Sequence, residues 1–172
     1  LLGEQSSTVG LIFLPLWMME GDATMCETQA STFGRALQPS FTLEYRAMGD
    51  VNNRYRNIDK LFCGSYRDFI PDHYQLGYQM VVHGNELTGR VMANDMAAYG
   101  PRHPWTIVSE AWRMKALFGF STHQLFESTF NRLSEHWASL PKLENSSTML
   151  PAPHAESYTT YSHPVSISPN EI

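Results

Sequence analysis

A mainly α-helical domain is what this sequence predicts, and three observations carry the expectation. Apolar residues recur at helical spacing through most of residues 16 to 139. Pro, Ser and Asp stand where helices would start, and Gly where they would stop. Short alternation of Thr, Tyr, Val and Ile is confined to residues 158 to 172.

The elements follow in order. Leu1 to Ser7 is polar and turn-like. Pro15 then suits a first helical turn, because its fixed φ and missing N–H cost nothing there, and a helix is expected from Leu16 to Ser31 with Gly34 closing it. Phe41 to Met48 reads as a second helix behind Ser40 as N-cap, with Phe41, Tyr45 and Met48 on one face and Glu44 placing negative charge in its first turn. Asp50 to Asn57 is a polar break. Asp72, after Pro71, caps a long helix carrying Leu76, Tyr78, Met80 and Val81, which should end at Gly84 or Gly89. Val91 to Ala98 is a short helix stopped by Tyr99-Gly100-Pro101. Pro104 to Phe118 and Ser121 to Ser139 supply the last two. Ser121 and Gln124 stand at capping-box spacing, and Leu125, Phe126, Thr129, Leu133 and Trp137 form the inner face. Residues 141 to 157 are rich in Pro, Ser, Asn and Glu and read as a linker, and 158 to 172 as a short β segment interrupted by Pro164 and Pro169.

With 172 residues, 42% of them hydrophobic and 12% aromatic, the chain can bury one sizeable core. A net charge of −5 with no basic stripe leaves nucleic acid without an electrostatic footprint. The longest apolar run, Val9 to Met19, is broken by Gly10 and Pro15 and is too short to span a bilayer. No initiator Met and no basic stretch precede that run, as expected of a sequence internal to a longer protein or following a processing site. Cys26 and Cys63 do not make a disulfide framework and read as two separate thiols.

Few residues carry a chemical signal. Glu20 sits on a helix beside Trp17 and Met18, and a carboxylate held against apolar neighbours is costly unless paired or bound to a cation; a solvent-facing Glu is the plain alternative. The seven histidines, His73, His83, His103, His123, His136, His154 and His163, form no ligand pair. His123 and His136, both on the last expected helix, point about 140 degrees apart around it. Tyr66, Tyr74 and Tyr78 flank the Phe-Ile-Pro-Asp-His-Tyr stretch; Tyr74 and Tyr78 are oxyanion-stabilising candidates, with aromatic packing as the alternative. Arg35, beside Gly34, could hold a substrate carboxylate or cap the last carbonyls of a helix. Nucleophile elbows, phosphate loops, dinucleotide fingerprints and zinc-finger spacings are absent from the sequence.

Three segments together carry a resemblance: Leu-Gly-Glu-Gln at 2 to 5, Leu-Pro-Leu-Trp-Met-Met-Glu-Gly-Asp-Ala at 14 to 23, and Gly-Ser-Tyr-Arg-Asp-Phe-Ile-Pro-Asp-His-Tyr-Gln-Leu-Gly-Tyr-Gln-Met-Val at 64 to 81. Gly34-Arg35, Pro39-Ser40-Phe41 and the stretch from Glu156 to Pro164 also fit. The chain resembles a gluzincin-like (peptidase MA type) metallopeptidase domain of Bacteroidota-type envelope proteins that carry a WD40-like β-propeller. The resemblance implies that residues 1 to 140 are the C-terminal helical half of a thermolysin-like fold, with 158 to 172 entering a propeller. It implies Glu20 as the third zinc ligand, Asp22 as a neighbour of the site at most, a peptide or protein substrate, and a secreted, periplasmic or envelope location.

The family's His-Glu-x-x-His helix does not occur in the sequence. The chain is therefore expected to act as one part of a zinc-dependent peptidase-like protein and to be inactive and without zinc on its own, since one carboxylate replaces neither three ligands nor a base. Its expected partners are the upstream half of its own domain and the propeller. An unpartnered face around Trp17 and Met18 would also invite dimerisation of the isolated chain. A non-catalytic helical scaffold attached to a propeller is the alternative function.

Overall fold

The computed structural model describes residues 11–52 and 57–141, without the side chains of 48–52. Among the described residues every regular element is a helix, and none is long and apolar enough to cross a membrane. The expected β segment at 158–172 lies outside the described residues.

Helix α1 spans Leu16–Ala30, and Pro15 stands just ahead of it in an extended conformation. The N–H groups of Met18 and Met19 both donate to the Pro15 carbonyl, so the proline starts the helix from outside. Trp17, Met18, Gly21 and Thr24 are buried, the i, i+4, i+7 stripe of a helix with one face inward. Trp17 and Met18 are only 4% and 0% exposed, which corrects the expectation of an open face there. Instead the Trp17 ring stacks 6.0 Å from Phe62, and its indole N–H donates to the Glu110 carboxylate at 3.0 Å.

Beyond α1 the chain folds back at Gly34, where a side chain would collide with the Thr28 backbone. Two 3-10 turns, Arg35–Leu37 and Pro39–Thr42, lead into α2, Leu43–Asn52. Ser40 therefore lies inside a tight turn and is not the N-cap of a helix from Phe41. Pro39 takes the first position of that turn, where its fixed φ is favourable. The expected break at 50–57 is shorter than its composition suggests, because α2 runs to Asn52 and α3 begins at Ile58.

Helix α3, Ile58–Cys63, went unread in the sequence. The Asn57 side chain caps it by accepting from the N–H groups of Asp59 and Lys60, and it buries Leu61. Helix α4, His73–Thr88, matches expectation closely: the Asp72 carboxylate accepts from the Tyr74 N–H, and Gly89 ends the helix in the left-handed region at φ 64°. Helix α5, Met92–Tyr99, is tied to α4 by the Asn85 side chain, which accepts from the Met92 N–H at 2.9 Å.

The single helix expected over 104–118 is two elements, a 3-10 turn, Pro104–Val108, and α6, Glu110–Phe118. The β-branched run Thr106-Ile107-Val108 resists α-helical packing, and Ser109 turns extended to cap α6 through the Trp112 N–H. Helix α7, Thr122–Ser139, opens with the full capping box between Ser121 and Gln124 and buries Leu125, Phe126 and Thr129.

Helix α1 packs chiefly on α4. Gly21 meets Gly77, and farther along both helices the Asn85 amide donates to the Met25 sulfur at 3.5 Å, so both helices advance in the same direction. The pair approaches so closely that a Cβ on Gly21 would strike the Gly77 carbonyl, and one on Gly77 the Trp17 carbonyl. Around this pair the core is rich in methionine: Met18, Met80, Met92, Met96 and Met114 are all fully buried. Unbranched, flexible thioethers suit a core lined by side chains from several helices.

Candidate functional site

Glu20 lies on the outer side of α1, half-buried, one residue before the glycine that seats α1 on α4. The first turn of α4 brings Tyr74 to it. The Tyr74 hydroxyl hydrogen-bonds the Glu20 carboxylate, and that negative charge holds the phenol above its ordinary pKa. Arg35 places its guanidinium 5.4 Å from the Tyr74 ring centre, a cation–π arrangement. The charge of Arg35 is committed to Glu27, at 2.7 and 2.8 Å, which lowers the Glu27 pKa. Arg35 thus neither caps the last carbonyls of α1 nor stands free for a substrate carboxylate. Among the described residues no Arg or Lys pairs with Glu20.

The two candidate tyrosines part company. Tyr78, one turn beyond Tyr74, lines an open groove of about 510 Å³ between α1 and α4, with Met25, Val82, Asn85 and Glu86. Its ring meets Phe41 edge-on at 5.7 Å, and burial raises its phenol pKa. The structure therefore brings together Glu20 and Tyr74, and places Tyr78 on the groove, against Phe41.

Asp22 is half-buried, and its Oδ1 has no hydrogen-bond partner among the described residues. Burial raises its pKa, so the folded state holds this proton more tightly than the unfolded state. The linked stability is present at acid pH and is lost as the pH rises through the folded pKa. Asp22→Asn is expected to raise the melting temperature more at pH 7 than at acid pH, where the carboxyl is already protonated; thermal melts across that range check it.

Among the described residues no three His, Cys, Asp or Glu side chains gather as a metal-binding group. The set around Glu20 consists of one carboxylate and a tyrosine hydroxyl that bonds it. Cys26 and Cys63 are both exposed free thiols.

One constellation had no signal in the sequence. His83, 8% exposed on α4, bonds through Nε2 to the Ser128 hydroxyl of α7 at 2.7 Å and through Nδ1 to Arg132 Nη1 at 3.0 Å. Arg132 also bonds the Glu86 carboxylate. A Ser–His contact of this length resembles an activated nucleophile, but the charges argue otherwise. Arginine can only donate, so the imidazole nitrogen facing it must be the bare one, and the other carries the proton. His83 consequently donates to Ser128 and cannot take its proton.

No family model, no curated protein and no solved structure matches the chain.

Proposed function

We propose that this chain supplies the ligand-completing helical part of a zinc peptidase-like domain, with Glu20 as the carboxylate ligand and Tyr74 as its hydrogen-bond donor. The observation that supports the reading is the state of Glu20. It is fixed on a rigid helix pair, oriented by a neutral hydroxyl, and not neutralised by any cation among the described residues. A ligand carboxylate requires that state, because an arginine in the same place would compete with the metal. Two histidines and a general base would come from a His-Glu-x-x-His helix of the same protein. Zinc, when bound, polarises a peptide carbonyl and lowers the pKa of water.

A zinc titration by calorimetry on the chain extended upstream tests this. The extended protein should bind one ion, the 172 residues alone should not bind one tightly, and Glu20→Gln should weaken binding by at least about tenfold. An extended protein with no His-Glu-x-x-His helix, or with zinc affinity indifferent to Glu20→Gln, would instead be a helical scaffold.

A further inference from the structure

The contact between α4 and α7 is built in a way that one proton can undo. We propose that His83, Ser128 and Arg132 form an acid-released latch, holding α7 on α4 while the imidazole is neutral and freeing it when the imidazole is protonated.

The geometry makes the neutral form obligatory. His83 lies between two partners on α7: Ser128, which can accept, and Arg132, which can only donate. Protonation places an N–H and a positive charge on a nearly buried imidazole against the guanidinium, 3.0 Å away, whose other side is half in solvent. The bond to Arg132 then becomes a repulsion.

The surroundings offer limited relief. On α4 itself, Glu86 faces the cluster but already bonds Arg132. On α7, Glu127 and Glu135 line the hollow on one side of His83, and His136 lines another of about 380 Å³. From the segment before α2, Ala36 and Thr42 bring no charge to that hollow. Burial and the nearby Arg132 both depress the pKa of His83, and Glu86 opposes them only in part. The sign follows: a folded pKa below the ordinary value of 6.5 means the latch contributes fully above about pH 6.5 and is lost as the pH falls through the folded pKa.

Hydrogen exchange on the whole chain, read as protection factors at about pH 7.5 and about pH 5, tests the latch. Protection of α7 should fall by about tenfold or more relative to α1, a factor equivalent to one pKa unit. Nitrogen-15 shifts of the His83 ring at the higher pH should show Nε2 protonated and Nδ1 bare. In Arg132→Gln the amide oxygen can accept from a protonated imidazole, so α7 should stay protected at the lower pH. Equal losses in the two proteins, unchanged protection of α7 in the natural chain, or a protonated Nδ1 at the higher pH would each overturn the proposal. Should Arg132→Gln fail to fold, the ring shifts and the exchange of the natural chain decide.

Discussion

Gly77→Ala is expected to destabilise the fold by about 3 kcal/mol, although alanine is the better helix former by about 1 kcal/mol. The sign is decided by what the new methyl group meets. It would enter the Trp17 carbonyl of α1, a main-chain atom that cannot turn aside, so the two helices must separate along their whole contact. Gly21→Ala should behave alike, because its methyl group strikes the Gly77 carbonyl. Gly84→Ala provides the contrast. Its methyl group meets the Met92 sulfur and terminal methyl, the far end of a flexible side chain that can rotate away. That variant should stay within about 1 kcal/mol of the natural chain. Urea titrations of the three variants check the order, and a Gly77→Ala protein as stable as the natural chain would show that the close approach is dispensable.

Arg113→Ala is expected to cost a similar amount by a different route. Arg113 is 4% exposed, and its guanidinium donates to the carbonyls of Thr106 and, at 2.9 Å, Phe13. It thereby ties the segment ahead of α1 to the 3-10 turn ahead of α6. Truncation leaves two carbonyls without their donor, at about 1–3 kcal/mol each, and a void beside the Phe13 ring. Part of that loss is returned, since burying a guanidinium is itself unfavourable and lowers its pKa. The net should be about 3 kcal/mol. Arg113→Lys should recover little of it, because one ammonium cannot reproduce a planar fork aimed at two carbonyls. Thermal melts measure the loss, and hydrogen exchange at Ile107, Val108 and Leu14 should show it to be greatest where the two segments meet.

Which features could be read in advance follows from how far their causes reach along the chain. The caps of α4 and α7 are local, written within three residues at Asp72 to Tyr74 and at Ser121 to Gln124, and both were legible. Helix α3 carries an equally local cap at Asn57, but it is only six residues long, so Ile58, Leu61 and Phe62 make a single turn of apolar spacing, too short to stand out as a period. The division at Ser109 was hidden because the apolar pattern continues through it while β-branched residues and a capping hydroxyl break the helix beneath. Burial of Trp17 and Met18 depends on Phe62, Glu110 and the glycine contact, which only the fold brings near. The site shows the same split. Glu20 and Tyr74 were each singled out by the segments containing them, but their bond was not, and Tyr78 had equal standing until the groove claimed it. His83 had no signal at all, because Ser128 and Arg132 lie on another helix. Spacing within one element cannot reveal a partner supplied by a second.

The glycine contact between α1 and α4 has a consequence for how the Glu20–Tyr74 pair responds to change. At the crossing, main chain lies on main chain, so no rotamer stands between the two helices to be altered by substitution, temperature or oxidation of the methionines nearby. The separation of the two main chains that carry Glu20 and Tyr74 is therefore inherited from backbone contact. Sequence drift in the surrounding core can erode the lifetime of the fold and still leave that separation unchanged in every molecule that remains folded.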